Sequence, residues 1–147
     1  MSLDVYLITE TPKRVTDPIY VRENGATVGM SVEEWNKKHP DREPVTIETR
    51  ETNEVFWRNI THNLNKMADE AGIYKAMWRP EEIGITTAAQ LIPLLEHGLE
   101  ALLQEPERFK QFNPPNGWGD YSGLVEFVQS YLSACRENPG ATVSVSR

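Results

Sequence analysis

The residues with the greatest chemical potential lie in one run, NITHNLN from Asn59 to Asn65, where amide, hydroxyl and imidazole side chains crowd together. Asn59, His62 and Asn63 are the candidates there. Amides of this kind orient a polar ligand by paired donation and acceptance. At a helix start the dipole favours a neutral imidazole, the form a general base needs. The plainer reading of Thr61, His62 and Asn63 is that they satisfy amides at a helix terminus.

Other chemistry finds less support. His39, His62 and His97 are far apart and show neither H-x3-H nor HExxH spacing, so no metal site is expected. Cys135 sits on an apolar helical stripe, where a thiol is a small core filler and a poor nucleophile. As the sole cysteine it can form no internal disulfide. There is no Gly-x-Ser-x-Gly elbow and no phosphate-binding Gly-x4-Gly-Lys loop. The glycines of GWGDYSG from Gly117 have the spacing of a dinucleotide loop. No strand precedes them, however, and Asp120 puts a carboxylate where a pyrophosphate would sit. No cofactor is called for. Asn116, Trp118 and Tyr121, with Trp78 and Arg79, could form an aromatic and polar recognition face, since Trp, Tyr and Arg anchor interfaces. Against this stands the ordinary reading, in which each ring is core with its N–H or O–H satisfied.

The 147-residue chain is long enough for one domain with a real core. Its formal charge of −7 disfavours nucleic acid and leaves a protein partner or a small molecule as the occupants to consider. No apolar run approaches the roughly 20 residues of a membrane span. No leader-like start is seen, and with the lone cysteine this gives a cytoplasmic expectation.

The positioning elements follow from periodicity. Leu3, Val5 and Leu7 alternate with polar neighbours as a half-buried strand, and residues 9–18, twice broken by proline, read as a loop. Asn24-Gly25 predicts a type I′ turn joining strands at 19–23 and 26–28. Ser31 and Glu34 form a capping box for a short helix ending before Pro40, with a turn at 41–44. Val45, Ile47 and Thr49 read as a strand, Thr52-Asn53 as a turn, and 55–58 as its returning partner. Ile60, Leu64, Met67, Ala68 and Ala71 define a helical stripe capped by Thr61 or Asn59 and closed by Gly72; His62, Lys66 and Asp69 face away from it. Pro80 begins a short turn. Thr87 and Gln90 box the start of a helix with stripe Ala88, Leu91, Ile92, Leu95, Leu99, Leu102 and Leu103, bent at Pro93. Pro106 opens another turn. Ser122 caps a helix with stripe Leu124, Val125, Val128, Tyr131, Leu132 and Cys135, and Val143 and Val145 end the chain as a strand paired with an early one. These elements predict an α+β fold: a small, mostly antiparallel sheet of N-terminal strands plus the last strand, covered by three main helices.

Four segments, NITHNLNKMA from Asn59, WRPEE from Trp78, NGWGDY from Asn116 and VSVSR from Val143, together resemble a group of small bacterial and phage or prophage proteins. The likeness covers residues 1–7 and then about 55 to the end, with 19–44 read as a hairpin-plus-helix insertion. It implies a single domain and a phage accessory role modulating a host protein, but supplies no reaction. Two functions follow as expectations: a non-catalytic binding protein, or a small-molecule binder or hydrolase with its pocket floor at Asn59, His62, Asn63 and Asn116.

Overall fold

The structure, a computed structural model, describes residues 1–14, 19–30, 32–38, 40–41 and 48–147. Its contacts divide the chain into two units, Met1–Thr9 with Thr52–Arg147, and Glu10–Glu51.

The second unit contains a hairpin, β2 (Ile19–Glu23) and β3 (Ala26–Met30), antiparallel with Ile19 opposite Met30. Asn24 and Gly25 both take positive φ, 51° and 82°, as the expected type I′ turn demands. Helix α1 (Val32–Lys38) follows. The expected cap at Ser31, the strand residues Val45 and Ile47, and His39 lie outside the described residues.

The first unit holds the core. Strands β1 (Ser2–Arg14), which belongs to this unit as far as Thr9, β4 (Glu48–Thr61), which belongs to it from Thr52, and β5 (Thr142–Ser146) form an antiparallel sheet in the order β4-β1-β5. Helices α2 (Asn65–Glu70), α3 (Tyr74–Trp78), α4 (Ala88–Gln104), α5 (Pro106–Lys110) and α6 (Tyr121–Glu137) complete it, with 3-10 turns at His62–Leu64 and Pro80–Ile83. The α+β class is therefore as expected. Leu3, Val5 and Leu7 are fully buried while Ser2, Asp4, Tyr6 and Ile8 are half exposed, the signature of a sheet covered on one face. Val5 lies opposite Val145 and Leu7 opposite Val143, so first and last strands pair as the alternation suggested.

Helices α4 and α6 contribute Leu91, Leu95 and Leu102, and Leu124, Phe127, Val128 and Tyr131, to that interior. Phe56 of β4 stacks on Tyr131 at 5.6 Å, tying the sheet to α6. The start of α4 shows how its orphan amides are satisfied: Ala88 N–H donates to Ala141 O and Ala89 N–H to Pro139 O, both at 2.9 Å. Gln90 Oε1 accepts from the Thr87 amide at 3.1 Å, the reciprocal half of the expected box. The helix runs unbroken through Pro93.

Several expectations need correction. Residues 9–14 continue β1 rather than forming a loop; a proline's φ suits an extended chain and removes only one ladder donor. Thr52-Asn53 makes no turn, and β4 runs straight through it. Among described non-glycine residues only Asn24 has positive φ, and Asn53 lacks the following glycine that made Asn24 a turn. Ile60 belongs to β4, and the helix after it opens as a 3-10 turn. Leu103 is 53% exposed, lying at the margin of the α4 stripe. The cap of α6 is Asp120, whose carboxylate accepts from Gly123 N–H at 2.8 Å, because the helix starts one residue before Ser122. Among the described residues no helix is long and apolar enough to cross a membrane.

Two core positions give stability predictions. A Cβ on Gly98 would fall 2.2 Å from Ile73 Cγ2, and Ile73 is itself buried. Gly98→Ala gains about 1 kcal/mol of helix propensity, but overpacking costs about 1–3 kcal/mol, so urea unfolding is expected to show net destabilisation. The Tyr131 hydroxyl is buried without a hydrogen-bond partner among the described residues. Tyr131→Phe keeps the ring contacts and removes that desolvated group, so it is expected to stabilise the fold by about 1 kcal/mol in the same measurement.

Candidate functional site

Strand β4 delivers Asn59 to the sheet's uncovered face and Ile60 to the core, and the chain then turns into the His62–Leu64 3-10 turn. Thr61 caps that turn, its φ of −67° and ψ of 141° still extended and its hydroxyl accepting from Asn63 N–H at 3.3 Å. His62 N–H donates to Met1 O at 3.3 Å, which holds the turn against the start of β1. Thr61 is thus the cap, as expected, and Gly72 closes α2 with φ of 78°.

A cleft of about 830 Å³ opens at this corner, lined by Met1, Ser2, Asn59, Thr61, His62, Asn63, Asn65 and Trp118. Its groups are already fixed. Asn59 Nδ2 donates to Ser2 Oγ and to Asp4 Oδ1, both at 2.8 Å, leaving its Oδ1 to accept from elsewhere. Asp4 also accepts from Trp57 Nε1 at 3.3 Å. Trp118 N–H donates to Asn116 Oδ1 at 3.0 Å and its carbonyl accepts from Asn63 Nδ2 at 3.4 Å. The next residue, Gly119, has φ of 93°, and a Cβ there would meet Thr61 Cγ2 at 2.7 Å and Leu64 Cγ at 3.0 Å. Only glycine allows the loop this close to the helix start. Trp118 is nonetheless 72% exposed, an unusually open large ring on an anchored backbone.

His62 is held by its neighbour. Trp78 is buried in the core, 2% exposed, and its Nε1–H donates to His62 Nδ1 at 2.8 Å. Indole can only donate, so Nδ1 supplies a lone pair and the ring proton resides on Nε2. Nε2 has no partner among the described residues and is the nitrogen left for a ligand. The expectation that His62 faces away from the core holds for one edge of the ring and fails for the other, where the indole reaches out of the interior to meet it.

Of the residues singled out from the sequence, Asn59, His62, Asn63 and Trp118 converge on this cleft. Asn116 shapes its loop without lining the cavity, and Trp78 reaches it only through His62. Arg79 is engaged elsewhere: its Nε donates to Tyr74 Oη at 3.2 Å and its Nη1 meets Glu82 at 3.1 Å. Hydrogen bonding with Tyr74 first, then Glu82, raises it above the ordinary arginine value. Tyr121 donates its hydroxyl to the Leu102 carbonyl and its amide N–H to Asn113 Oδ1 at 2.8 Å, so it ties α6 to the end of α4. The single face imagined for Trp78, Arg79, Asn116, Trp118 and Tyr121 is therefore not formed. Sequence reading missed Met1, Ser2 and Asn65 as lining residues. Met1 and Ser2 arrive through strand pairing, which local patterning does not reveal; Asn65, three residues after His62, carried a helical-face signal that could have found it.

Cys135 is buried, and that burial pushes its thiol up to about 12, as befits a core filler. The described residues contain no cluster of His, Cys, Asp or Glu arranged to hold a metal. No protein-family model, curated protein or solved structure matches this chain.

The indole–imidazole bond can be checked directly. Long-range proton–nitrogen NMR of the neutral imidazole is expected to show His62 protonated on Nε2 alone. Trp78→Phe should convert this to a mixture of tautomers and cost about 1–2 kcal/mol of stability through the lost bond. An unchanged nitrogen pattern would refute the assignment.

Proposed function

We propose that this protein is a non-catalytic binding protein and that the cleft between the 61–65 helix start and the Trp118 loop is its recognition site. One observation carries the reading: Trp118 stays exposed although its peptide groups are bonded on both sides and its loop is locked by Gly119. An aromatic side chain kept open on a fixed backbone loses little entropy on binding, which is how interface anchors act.

The cleft's chemistry favours binding over hydrolysis. His62 is the one titratable side chain lining it, and its Nδ1 lone pair is already committed to Trp78. With the proton on Nε2 the ring is a donor, not a base, toward anything in the cleft. The two hydroxyls at hand are also engaged, Thr61 Oγ1 with Asn63 N–H and Ser2 Oγ with Asn59. Neither has a basic partner to activate it. The ligand such a site suits is uncharged and polar, whether a small molecule or a segment of a protein. The resemblance to phage and prophage proteins supports an accessory role in which that ligand belongs to the host.

The test compares full-length protein with Trp118→Ala, a surface change expected to leave the thermal midpoint within a degree or so. A panel of uncharged small molecules and capture from bacterial lysate are run on both. Binding present in the parent and lost in the variant is the expected result. Binding retained in full by Trp118→Ala would show that recognition lies elsewhere on the molecule.

A further inference from the structure

Resting on the reading of this cleft as a binding site, we infer that its ligand is an uncharged saccharide, with a pyranose ring laid on Trp118 and its hydroxyls read by Asn59, His62, Asn63 and Asn65. Among the residues lining the cavity there is no carboxylate, lysine or arginine side chain. Asp4, the nearest acid in the network, is taken up by Asn59 and Trp57. Lys66 and Asp69 border a separate cavity with Asn65 and Tyr74. An anionic ligand such as a nucleotide would find no lysine or arginine here, only the Met1 α-amino group, and the chain's charge of −7 would oppose it at longer range.

The hydrogen-bonding groups are also sorted by role. Both N–H bonds of Asn59 are spent on Ser2 and Asp4, so Asn59 presents an acceptor. His62, with Nδ1 filled by Trp78, presents a donor at Nε2. Asn63 donates to Trp118 O and keeps its own Oδ1 as an acceptor, and Asn65 offers a whole amide. A sugar hydroxyl donates and accepts at once, so neighbouring hydroxyls match a wall where fixed acceptors and a fixed donor alternate. Trp118 also lines the cavity, and its ring is exposed. Its negative face attracts the C–H bonds of a sugar, which adjacent oxygens leave slightly positive. A cavity of about 830 Å³ falls in the range of small-ligand sites, about 300–1,000 Å³. A nucleoside also offers a flat ring, but Trp118 is the one indole or phenyl-type ring lining the cleft, and the His62 imidazole is held by Trp78.

The experiment follows side-chain resonances of the full chain: the Trp118 indole N–H and the amides of Asn59, Asn63 and Asn65. Three uncharged probe sets are titrated, namely methyl glycosides with short neutral oligosaccharides, nucleosides, and blocked dipeptides. Saturable shifts of these resonances with at least one saccharide, weakened roughly tenfold or more in Trp118→Ala, are expected. Asn65→Ala removes a lining amide at an exposed helical position; it should weaken the saccharide with the thermal midpoint kept, which separates recognition from structure. Saccharides that leave the resonances unmoved while nucleosides or dipeptides shift them would overturn the sugar assignment and keep the cleft as a binding site. Silence from all three sets would overturn both.

Discussion

Between Ile60 and Leu64 the backbone changes from a strand to a helix, and both side chains must end in the same apolar interior. That demand governs the corner where the cleft lies. The strand brings Ile60 inward and Asn59 outward by its alternation; the helix brings Leu64, Met67 and Ala68 inward by its own period. The three residues between, Thr61, His62 and Asn63, have no place in the core and carry the backbone groups that change partner. Thr61 satisfies the Asn63 amide, and Met1 O takes the amide of His62. A polar, partly open corner is thus a consequence of joining two periodicities over one interior. What the rest of the chain adds is a wall: the 113–120 loop, brought close by Gly119 and crowned by Trp118.

Rigidity at this corner is supplied from inside the molecule. Arg147 Nη1 donates to the Trp78 carbonyl at 2.7 Å and pairs with Glu81, so the end of the chain braces the end of α3. Trp78, stacked on Tyr74 at 5.7 Å, in turn holds the His62 ring. The Glu81 carboxyl is held below its ordinary range, first by its own backbone amide and then by Arg147. Its share of stability is accordingly present above the usual carboxylate range and is lost as pH falls through the depressed value, a modest effect because the pair is exposed. The imidazole in the cleft is therefore positioned by an interaction whose other end lies in the core and beyond it in Arg147, the residue after the last strand.

Much of this was legible in the residues. The buried face of β1, the Asn24-Gly25 turn, the stripes of α4 and α6 and the pairing of first and last strands all follow from periods of 2 and 3.6 with the right punctuation. The misses share a cause. Pro12 and Thr52-Asn53 were read as breakers from local chemistry, whereas sheet pairing supplies hydrogen bonds that outweigh a weak turn signal. At the site, Asn59, His62, Asn63 and Trp118 were visible as a polar run and a loop aromatic. That Trp78 would be interior and yet touch His62 was not, because the contact joins residues sixteen apart through a fold neither segment encodes alone. Tyr121 misled for a similar reason: its hydroxyl finds a carbonyl at the end of α4.

The acidic surface and the uncharged cleft make different demands on any ligand. A net charge of −7 provides no attraction for a neutral molecule, so encounter is not steered and affinity must come from contact. Contact is strongest when the groups need no reorganisation, and here the amides, the imidazole and the indole backbone are each held by a second bond before anything arrives. A site assembled this way discriminates by the direction of donors and acceptors more than by hydrophobic area, because a ligand that misplaces one hydroxyl leaves an Asn59 or His62 group unpaired. On the proposed reading of this corner as a binding site, its expected character is selectivity at moderate affinity. That selectivity is set by the same bonds that let a strand become a helix at Thr61.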